Sequence, residues 1–193
     1  MPVRPSPLRI VSLVALFLAA CSSGPTASFD PSGACTSDGS AAGAYPALEA
    51  RIPTSYEGQG PGHVDSGRHC SKENLGSLAA AGITEVRFAG GTWDFGGDAA
   101  AVLAVFEADG LTAAQIAEFY ASSARAADRT TVDGETALTL AGRPGHRLDT
   151  TTSSRTQTIL VWPSADANVV DVVIGNELPD PKLMAAVDAF GGR

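Results

Sequence analysis

The most regular alternation of apolar and polar positions in this 193-residue chain lies just after residue 110. Thr112 and Gln115 have the spacing of a capping box, which marks the start of a helix. Apolar and small side chains then recur at three- and four-residue steps, at Ile116, Phe119, Tyr120, Ser123 and Ala127. This spacing predicts an amphipathic helix over 113–127, whose apolar face must pack on another element.

Two further helices are predicted from their end signals. Ser71 is a suitable N-cap, and Gly82 suits the left-handed position that follows a helix, so a helix is expected between them. Asp180 is a suitable N-cap for the last helix, and Pro181 fits the first helical position, where no backbone N–H is needed. The apolar residues that share one side of this last helix are Leu183, Val187 and Phe190.

Six segments have the composition or the alternation of β-strands. They are 85–89, 100–108, 137–140, 147–152, 156–162 and 169–175. Turn residues at 163–166 predict that the last two form a hairpin. Because short polar turns join the strands after residue 137, a parallel doubly wound sheet is disfavoured. The prediction is an α+β fold, with a mainly antiparallel sheet of five to six strands and about three helices packed on one face.

The segment 22–44 has the composition of a flexible linker. It is dominated by Ser, Gly, Ala, Thr and Asp, and Phe29 is its one large apolar residue. Such a segment cannot bury enough apolar surface to order itself. The remaining residues, 45–193, have the length of one ordinary domain. The expected organisation is a signal peptide over 1–20, Cys21 with its linker over 21–44, and a single α+β domain.

The first 21 residues carry the signature of an export signal. Arg4 and Arg9 precede an apolar run over 10–20, which is about half the roughly 20 residues that a helix needs to cross a membrane. The run closes on the sequence Leu-Ala-Ala-Cys at 18–21. These four residues match a lipobox, and on them the chain resembles the bacterial lipoproteins.

The resemblance implies that a signal peptidase cuts before Cys21. It further implies that the Cys21 sulfur carries a diacylglyceryl group and that the new amino terminus receives an acyl chain such as palmitate. Two or more chains anchor a protein stably, where one binds marginally, so the implied location is the extracytoplasmic face of the cell membrane. An ordinary signal peptide with an incidental Cys21 is the alternative. The layout of anchor, linker and small α+β domain is similar to small lipoproteins of high-GC bacteria, some with Mog1/PsbP-like domains, and implies no site residues.

Cys35 and Cys70 remain as a pair once Cys21 is assigned to lipid. In an oxidising compartment such a pair is expected to form a disulfide. Closing this loop restricts the unfolded chain by about 3–4 kcal/mol in the chain-entropy model. Two free thiols or a metal site are the alternatives.

The charge distribution excludes two classes of partner. All 21 acidic residues follow Cys21, whereas Arg4 and Arg9 of the 13 basic ones precede it. The mature chain is therefore more acidic than the full chain, whose net charge is -8. Nucleic acid and anionic lipid surfaces require a basic stripe, and the arginines here are scattered singly. The expected partners are the membrane, through the lipid anchor, and an envelope ligand or protein.

The densest group of polar side chains lies at 63–70. Its members His63, Asp65 and His69 are of types that bind zinc or assemble a hydrolase site. Their spacing matches no zinc template, and no Gly-x-Ser-x-Gly elbow surrounds a serine in the sequence. The plainer interpretation is a loop with solvated histidines. No metal, cofactor or catalytic residue is therefore assigned.

Two other segments supply the candidate ligand contacts. Trp93 and Phe95 lie between two glycine pairs; exposed rings would form a contact patch, whereas buried rings belong to the core. Arg143, His146 and Arg147 group three cations beside a turn. They are the best candidates for contact with an anion, and the alternative is a solvated turn before a strand.

These observations predict a membrane-anchored extracytoplasmic lipoprotein that acts as a non-enzymatic binding or accessory module of the cell envelope. Such a module is expected to have a pocket or patch without paired titratable groups. The alternative is an envelope hydrolase with a site around His63, Asp65 and His69. A structural envelope protein is a third interpretation.

Overall fold

A computed structural model describes residues 29–191 of the chain. The strands in this range are β1 (Gly39–Ala41), β2 (His63–His69), β3 (Val86–Asp94), β4 (Ala100–Glu107), β5 (Thr130–Leu140), β6 (Arg143–Thr152), β7 (Arg155–Pro163) and β8 (Val169–Asn176). The helices in this range are α1 (Pro46–Glu49), α2 (Lys72–Leu75), α3 (Ser77–Ala80), α4 (Ala113–Ala126) and α5 (Asp180–Gly191). The strands form one sheet in the order β1-β2-β3-β4-β8-β7-β6-β5.

The sheet consists of two meanders placed edge to edge. Strands β1–β4 form the first and β5–β8 the second, and the pairing of β4 with β8 joins them. Each strand is antiparallel to its neighbours. Ala141 with Gly142 and Ser153 with Ser154 form two of the hairpin turns, and all four have positive φ. This is the geometry of type I′ turns, whose twist matches that of antiparallel strands.

Helices cover both faces of the sheet, because side chains of the strands alternate between two apolar clusters. On the first face, called the α5 face, Leu103 and Val105 of β4 pack with α1 and α5. On the second face, called the α4 face, Ala104 and Phe106 of the same strand pack with α2, α3 and α4. The central strands β4 and β8 are therefore buried on both sides.

The predicted fold class is wrong in two respects. The described residues form a sheet of eight antiparallel strands, instead of an α+β arrangement with five to six, and helices lie on both faces instead of one. All six predicted strands are present, and β1 and β2 are the additional ones. The segment interpreted as a loop around His63 and His69 is β2. Because most of its residues are polar, the sequence does not predict a strand here. The residues among the first 50 that contact this strand are not evident from the sequence either.

The predicted starts of α4 and α2 agree with the structure, whereas α5 begins one residue earlier than predicted: Asp180 is its first helical residue instead of its N-cap, and the Pro179 carbonyl oxygen accepts a hydrogen bond from the Leu183 N–H at 3.2 Å. The capping box of Thr112 and Gln115 is formed at the start of α4. Ser71 caps α2 by accepting a hydrogen bond from the Asn74 N–H at 3.1 Å. The single helix predicted after Ser71 is instead two short ones, because Gly76 adopts a φ of 51° and interrupts it.

Residues 29–41, which belong to the predicted linker, are fastened to β2. Cys35 and Cys70 form the predicted disulfide, with Cα atoms 5.9 Å apart. Strand β1 pairs with β2. The buried Arg68 guanidinium donates to the Gly33 carbonyl oxygen at 2.7 Å and to the Asp30 carbonyl oxygen at 3.1 Å. This part of the segment is therefore an edge of the domain.

The lipobox and Cys21 lie outside the described residues. Within the described range, no helix is both long and apolar enough to cross a membrane.

Candidate functional site

A cavity of about 150 Å³ lies between the α4 face of the sheet and the second half of α4. Its floor includes side chains that are in register across four neighbouring strands, because Thr92 pairs with Val102, Val102 with Ile174, and Ile174 with Ile159. The lining residues contributed by α4 and the turn after it are Tyr120, Ser123, Ala124 and Ala127. The cavity thus has a predominantly apolar lining.

Small residues on both walls create the cavity. Gly90 of β3 is paired with Ala104 of β4, and both line the floor opposite Ala124 and Ala127. A Cβ built on Gly90 lies 3.8 Å from the Ala104 Cβ and meets nothing closer. This is ordinary van der Waals distance, so the floor has room for a side chain that the sequence does not supply.

The polar side chains at one end of the cavity are uncharged and already paired with one another. Thr130 and Thr152 share a hydrogen bond of 2.8 Å between their hydroxyl oxygens. The Gln157 side-chain amide donates to the Asn176 amide oxygen at 2.8 Å. These pairs lie at the same ends of β5–β8. This end of the cavity is therefore uncharged, whereas the Asp65 carboxylate lies at the β2 side.

Tyr120 is the exception among these polar groups. Its side chain lines the cavity and is 8% exposed. Among the described residues its hydroxyl has no hydrogen-bond partner. Burial raises the pKa of the Tyr120 phenol above its usual range, so the group remains protonated and able to donate. Its ring packs edge-on against Phe106, with centroids 6.4 Å apart.

His63 and Asp65 lie at the β2 side of the cavity, whereas His69 does not line it. The His63 Nε2 is 3.8 Å from the Asp65 Oδ2, beyond hydrogen-bond distance. His69 stacks on Phe88 with ring centroids 4.8 Å apart. Its burial lowers the pKa of His69, and the nearby Asp38 carboxylate opposes that shift. The three residues share one face of β2 without converging on one point.

Trp93 and Phe95 belong to the α5 face, on the opposite side of the sheet from the cavity. Trp93 is 1% exposed, and its indole N–H donates to the Gln59 carbonyl oxygen at 3.0 Å. Tyr56 contacts both rings edge-on, with centroids 5.9 Å from Trp93 and 5.4 Å from Phe95. Burial, with a smaller contribution from Glu57, raises the pKa of Tyr56 to about 12. These rings form an aromatic cluster in and beside the core.

The three candidate cations are not brought together. Arg143 donates to the Pro163 carbonyl oxygen at 3.2 Å and lies apart from the other two, whereas His146 and Arg147 both line a separate cavity beside α4. Arg147 is held between two carboxylates, with Nε 2.8 Å from Asp149 Oδ2 and a terminal nitrogen 2.9 Å from Asp180 Oδ1. Its charge is therefore already compensated.

Asp149 completes the Arg147 ion-pair group. Burial by itself raises the pKa of Asp149, but hydrogen bonds from Arg147 and from the Thr158 hydroxyl outweigh it and lower the pKa below its usual value. The Asp149 carboxylate therefore stays ionised near neutral pH and keeps Arg147 paired.

The cavity residues that the sequence did not single out for function include Ala104, Thr150, Thr152, Gln157 and Asn176. Tyr120 and Ser123 were noticed only as part of a helical stripe. One signal was present: the apolar stripe of α4 changes from Ile116 and Tyr120 to small residues in its last turns. Small residues on a helix face mean either close packing or space, and the opposing strands decide which.

Residues 29–191 contain no group of three or more His, Cys, Asp or Glu side chains placed to hold a metal ion. Among the cavities of this part of the chain, the one beneath α4 is the candidate site because its lining is predominantly apolar. No known protein family matches the sequence, and no curated protein is similar to it.

Proposed function

We propose that this chain is a lipid-anchored, extracytoplasmic binding module of the cell envelope, non-enzymatic, whose cavity beneath α4 holds a small apolar ligand. The cavity is the observation that carries the proposal. Ordinary cores are close-packed, so an unfilled space next to a floor glycine with room for a side chain is best explained by an occupant.

The chemistry of the lining supports binding rather than catalysis. The hydroxyl of Ser123, a lining residue of α4, donates to the Phe119 carbonyl oxygen at 2.7 Å. The threonine and amide side chains at one end of the cavity are paired with one another. A nucleophile needs a general base within hydrogen-bond reach. The His63 side chain is 58% exposed, and its Nε2 lies 3.8 Å from the Asp65 Oδ2.

The disulfide between Cys35 and Cys70 agrees with a location outside the cytoplasm, where such bonds persist. The lipobox at 18–21 supplies the means of attachment. In this proposal the lipid holds the domain at the membrane surface, and the cavity faces molecules of the envelope.

The substitution Gly90→Val tests the cavity. Valine at this strand position fills the floor, and we expect it to abolish binding while raising the free energy of unfolding by about 0.5–1 kcal/mol, because glycine weakens strands. Toluene is a suitable probe, since a dry cavity of this size accepts benzene. Toluene titration by NMR should move the amide resonances of Val102, Ile159 and Ile174 in the native chain and leave them unmoved in the variant.

Gly134→Val is the matched control. Gly134 lies in β5, away from the cavity, and a Cβ there meets only the Asp149 carboxylate at 4.0 Å. This variant should bind toluene as the native chain does. Native protein that shows no saturable response to toluene, or a Gly90→Val variant that binds it unchanged, would refute the proposed function.

The substitution Cys21→Ser tests the anchor. Without the sulfur no diacylglyceryl group can be attached, so the variant should leave the detergent phase of a membrane extract for the aqueous phase. The neighbouring substitution Ser22→Ala keeps the sulfur and should remain in the detergent phase. Partition is measured on extracts of cells that express each full chain, and a Cys21→Ser protein that stays with the detergent would exclude lipidation at this residue.

A further inference from the structure

We propose that the ligand of the cavity beneath α4 is a small monoamine, whose ammonium group pairs with the Asp65 carboxylate while its apolar body lies over Gly90. This inference rests on the proposed function and names the chemical class of its ligand. The class is that of amines with one ammonium group, one apolar group the size of a benzene ring, and no negative charge.

Asp65 lies next to the part of the cavity floor that has room for a side chain. In the pairing of β2 with β3, Asp65 is directly opposite Gly90, and paired residues present their side chains on the same face of a sheet. Both residues line the cavity. The Asp65 side chain does not cover Gly90, because the atoms nearest to a Cβ built there belong to Ala104, Leu103 and Val102. An apolar group placed over Gly90 is therefore a neighbour of the carboxylate.

The Asp65 carboxylate is accessible and is not committed to a partner within hydrogen-bond distance. Its side chain is 25% exposed, and the His63 Nε2, which is the basic group beside it, lies 3.8 Å from Oδ2, beyond hydrogen-bond range. The Asp149 carboxylate, by contrast, accepts hydrogen bonds from Arg147 at 2.8 Å and from the Thr158 hydroxyl at 2.6 Å. An ammonium group supplies three donors, and a hydrogen bond between two charged groups is stronger than one between neutral groups.

The other charges around the cavity also favour a cation. Among the described residues that line it, Asp65 is the one carboxylate, and lysine and arginine do not occur. Ser123, Ala124 and Ala127 line the cavity from the last turn of α4 and the residue that follows it, so the negative end of the helix dipole lies there. A carboxylate or phosphate in the cavity would lose its hydration without gaining a fixed cation.

The volume and the single carboxylate limit the ligand to a compact body with one ammonium group. A dry cavity of about 150 Å³ accepts benzene, and the cavity beneath α4 has that volume. On the side of β5–β8, the polar side chains are neutral and already paired with one another. A second charged group on the ligand would find no partner there, so diamines and amino acids lie outside the class.

Benzylamine, benzyl alcohol, benzoate and toluene share one ring and separate these requirements. Each is titrated by NMR into the native chain and into Asp65→Asn, at about pH 8, where an ordinary histidine is neutral and benzylamine is still an ammonium. In the native chain benzylamine should bind about tenfold more tightly than benzyl alcohol, close to the smallest gain expected from a hydrogen bond to a charged group, because Asp65 is partly open to water. In Asp65→Asn this preference should disappear while toluene keeps its native affinity. Benzoate should bind the native chain more weakly than benzyl alcohol does.

Asp188→Asn provides the matched control. Asp188 is an exposed residue of α5, on the opposite side of the sheet from the cavity, and its substitution changes the net charge of the chain by the same amount. This variant should keep the preference for benzylamine. Because Asp65 and its closest basic group are not hydrogen-bonded, Asp65→Asn should melt at about the temperature of the native chain, which shows that the fold is kept.

The possible failures are distinguishable. If toluene does not bind the native chain, the proposed function is refuted. If toluene binds but benzylamine has no advantage over benzyl alcohol, or if Asp65→Asn keeps that advantage, the pairing with Asp65 is refuted while the cavity stands. A preference lost equally in Asp188→Asn would mean that the net charge of the chain, and not Asp65, attracts the amine. Benzoate that binds as tightly as benzylamine would overturn the assignment of a cationic ligand.

Discussion

Replacing Trp93 by alanine is expected to lower the free energy of unfolding by about 3–5 kcal/mol, the usual cost of emptying a large aromatic site in a core. The indole is 1% exposed and packs in the cluster that includes Tyr56 and the residues of α5. Alanine also removes the indole N–H, which donates a hydrogen bond to the Gln59 carbonyl oxygen at 3.0 Å. The variant is compared with the native chain by urea denaturation.

Two further variants show where this effect comes from. Trp93→Phe keeps an aromatic ring and loses the N–H, so it should fall between the native chain and Trp93→Ala. Thr92→Ala, one position away, changes a half-buried side chain on the cavity side of the sheet and should cost less than about 1.5 kcal/mol. A Trp93→Ala variant as stable as Thr92→Ala would mean that Trp93 is not part of the core.

Local signals predicted the starts of α4 and α2 to the residue. A capping box or an N-cap depends on residues three positions apart, such as Thr112 with Gln115 or Ser71 with Asn74, and nothing distant competes with it. The break at Gly76 is local as well. A glycine inside a helical pattern is nevertheless tolerated or not according to its tertiary contacts, so the sequence left that interruption undecided.

The number of covered faces was open to prediction and was wrongly predicted. Strand β8 begins Val-Val-Asp-Val-Val-Ile at residue 169, a nearly continuous apolar run without alternation. Such runs are typical of strands buried on both sides, and β4 has a similar one. A sheet whose central strands carry this pattern requires helices on both faces, as α4 and α5 provide.

Strand β2 was not predictable from its own residues. The Ser66 hydroxyl accepts a hydrogen bond from the Tyr45 N–H at 2.7 Å and donates to Glu49 at 2.8 Å. Both terminal nitrogens of Arg68 donate to backbone carbonyls of residues more than 30 positions away, whereas its buried Nε has no partner among the described residues. A polar strand is stable here because distant residues satisfy it, and a single sequence does not show that pairing.

The cavity was not predictable from the sequence either, because it depends on which distant residues lie opposite the adjacent glycines Gly90 and Gly91. A Cβ on Gly91 would lie 2.8 Å from Ile52 and 3.0 Å from Trp93, whereas one on Gly90 meets nothing nearer than 3.8 Å. The first glycine allows close packing and the second leaves space. Both residues are glycine, so the sequence does not distinguish them. The surface opposite each glycine decides whether the space beside it is filled or empty.

Removing the disulfide is expected to have the other large effect on stability. The bridge spans 35 positions of sequence, and in the chain-entropy model a loop of that length stabilises the fold by about 3–4 kcal/mol. The double substitution Cys35→Ala with Cys70→Ala, or reduction of the native chain, should lower the free energy of unfolding by this amount. Hydrogen exchange should rise first at β1, which depends on the bridged segment for its position against β2.

Toluene binding in the cavity is a second, independent measurement on the same double variant. Cys70 follows one end of β2, and His63 and Asp65 lie at the other end, where they border the cavity. The folded double variant should therefore bind toluene with the affinity of the native chain. Adding a reductant should not change the stability of this variant. Native protein whose urea midpoint is unaffected by the reductant would contradict the bridge as a source of stability. Loss of toluene binding in the folded double variant would instead mean that the amino-terminal segment, and not the sheet and α4 alone, shapes the ligand site.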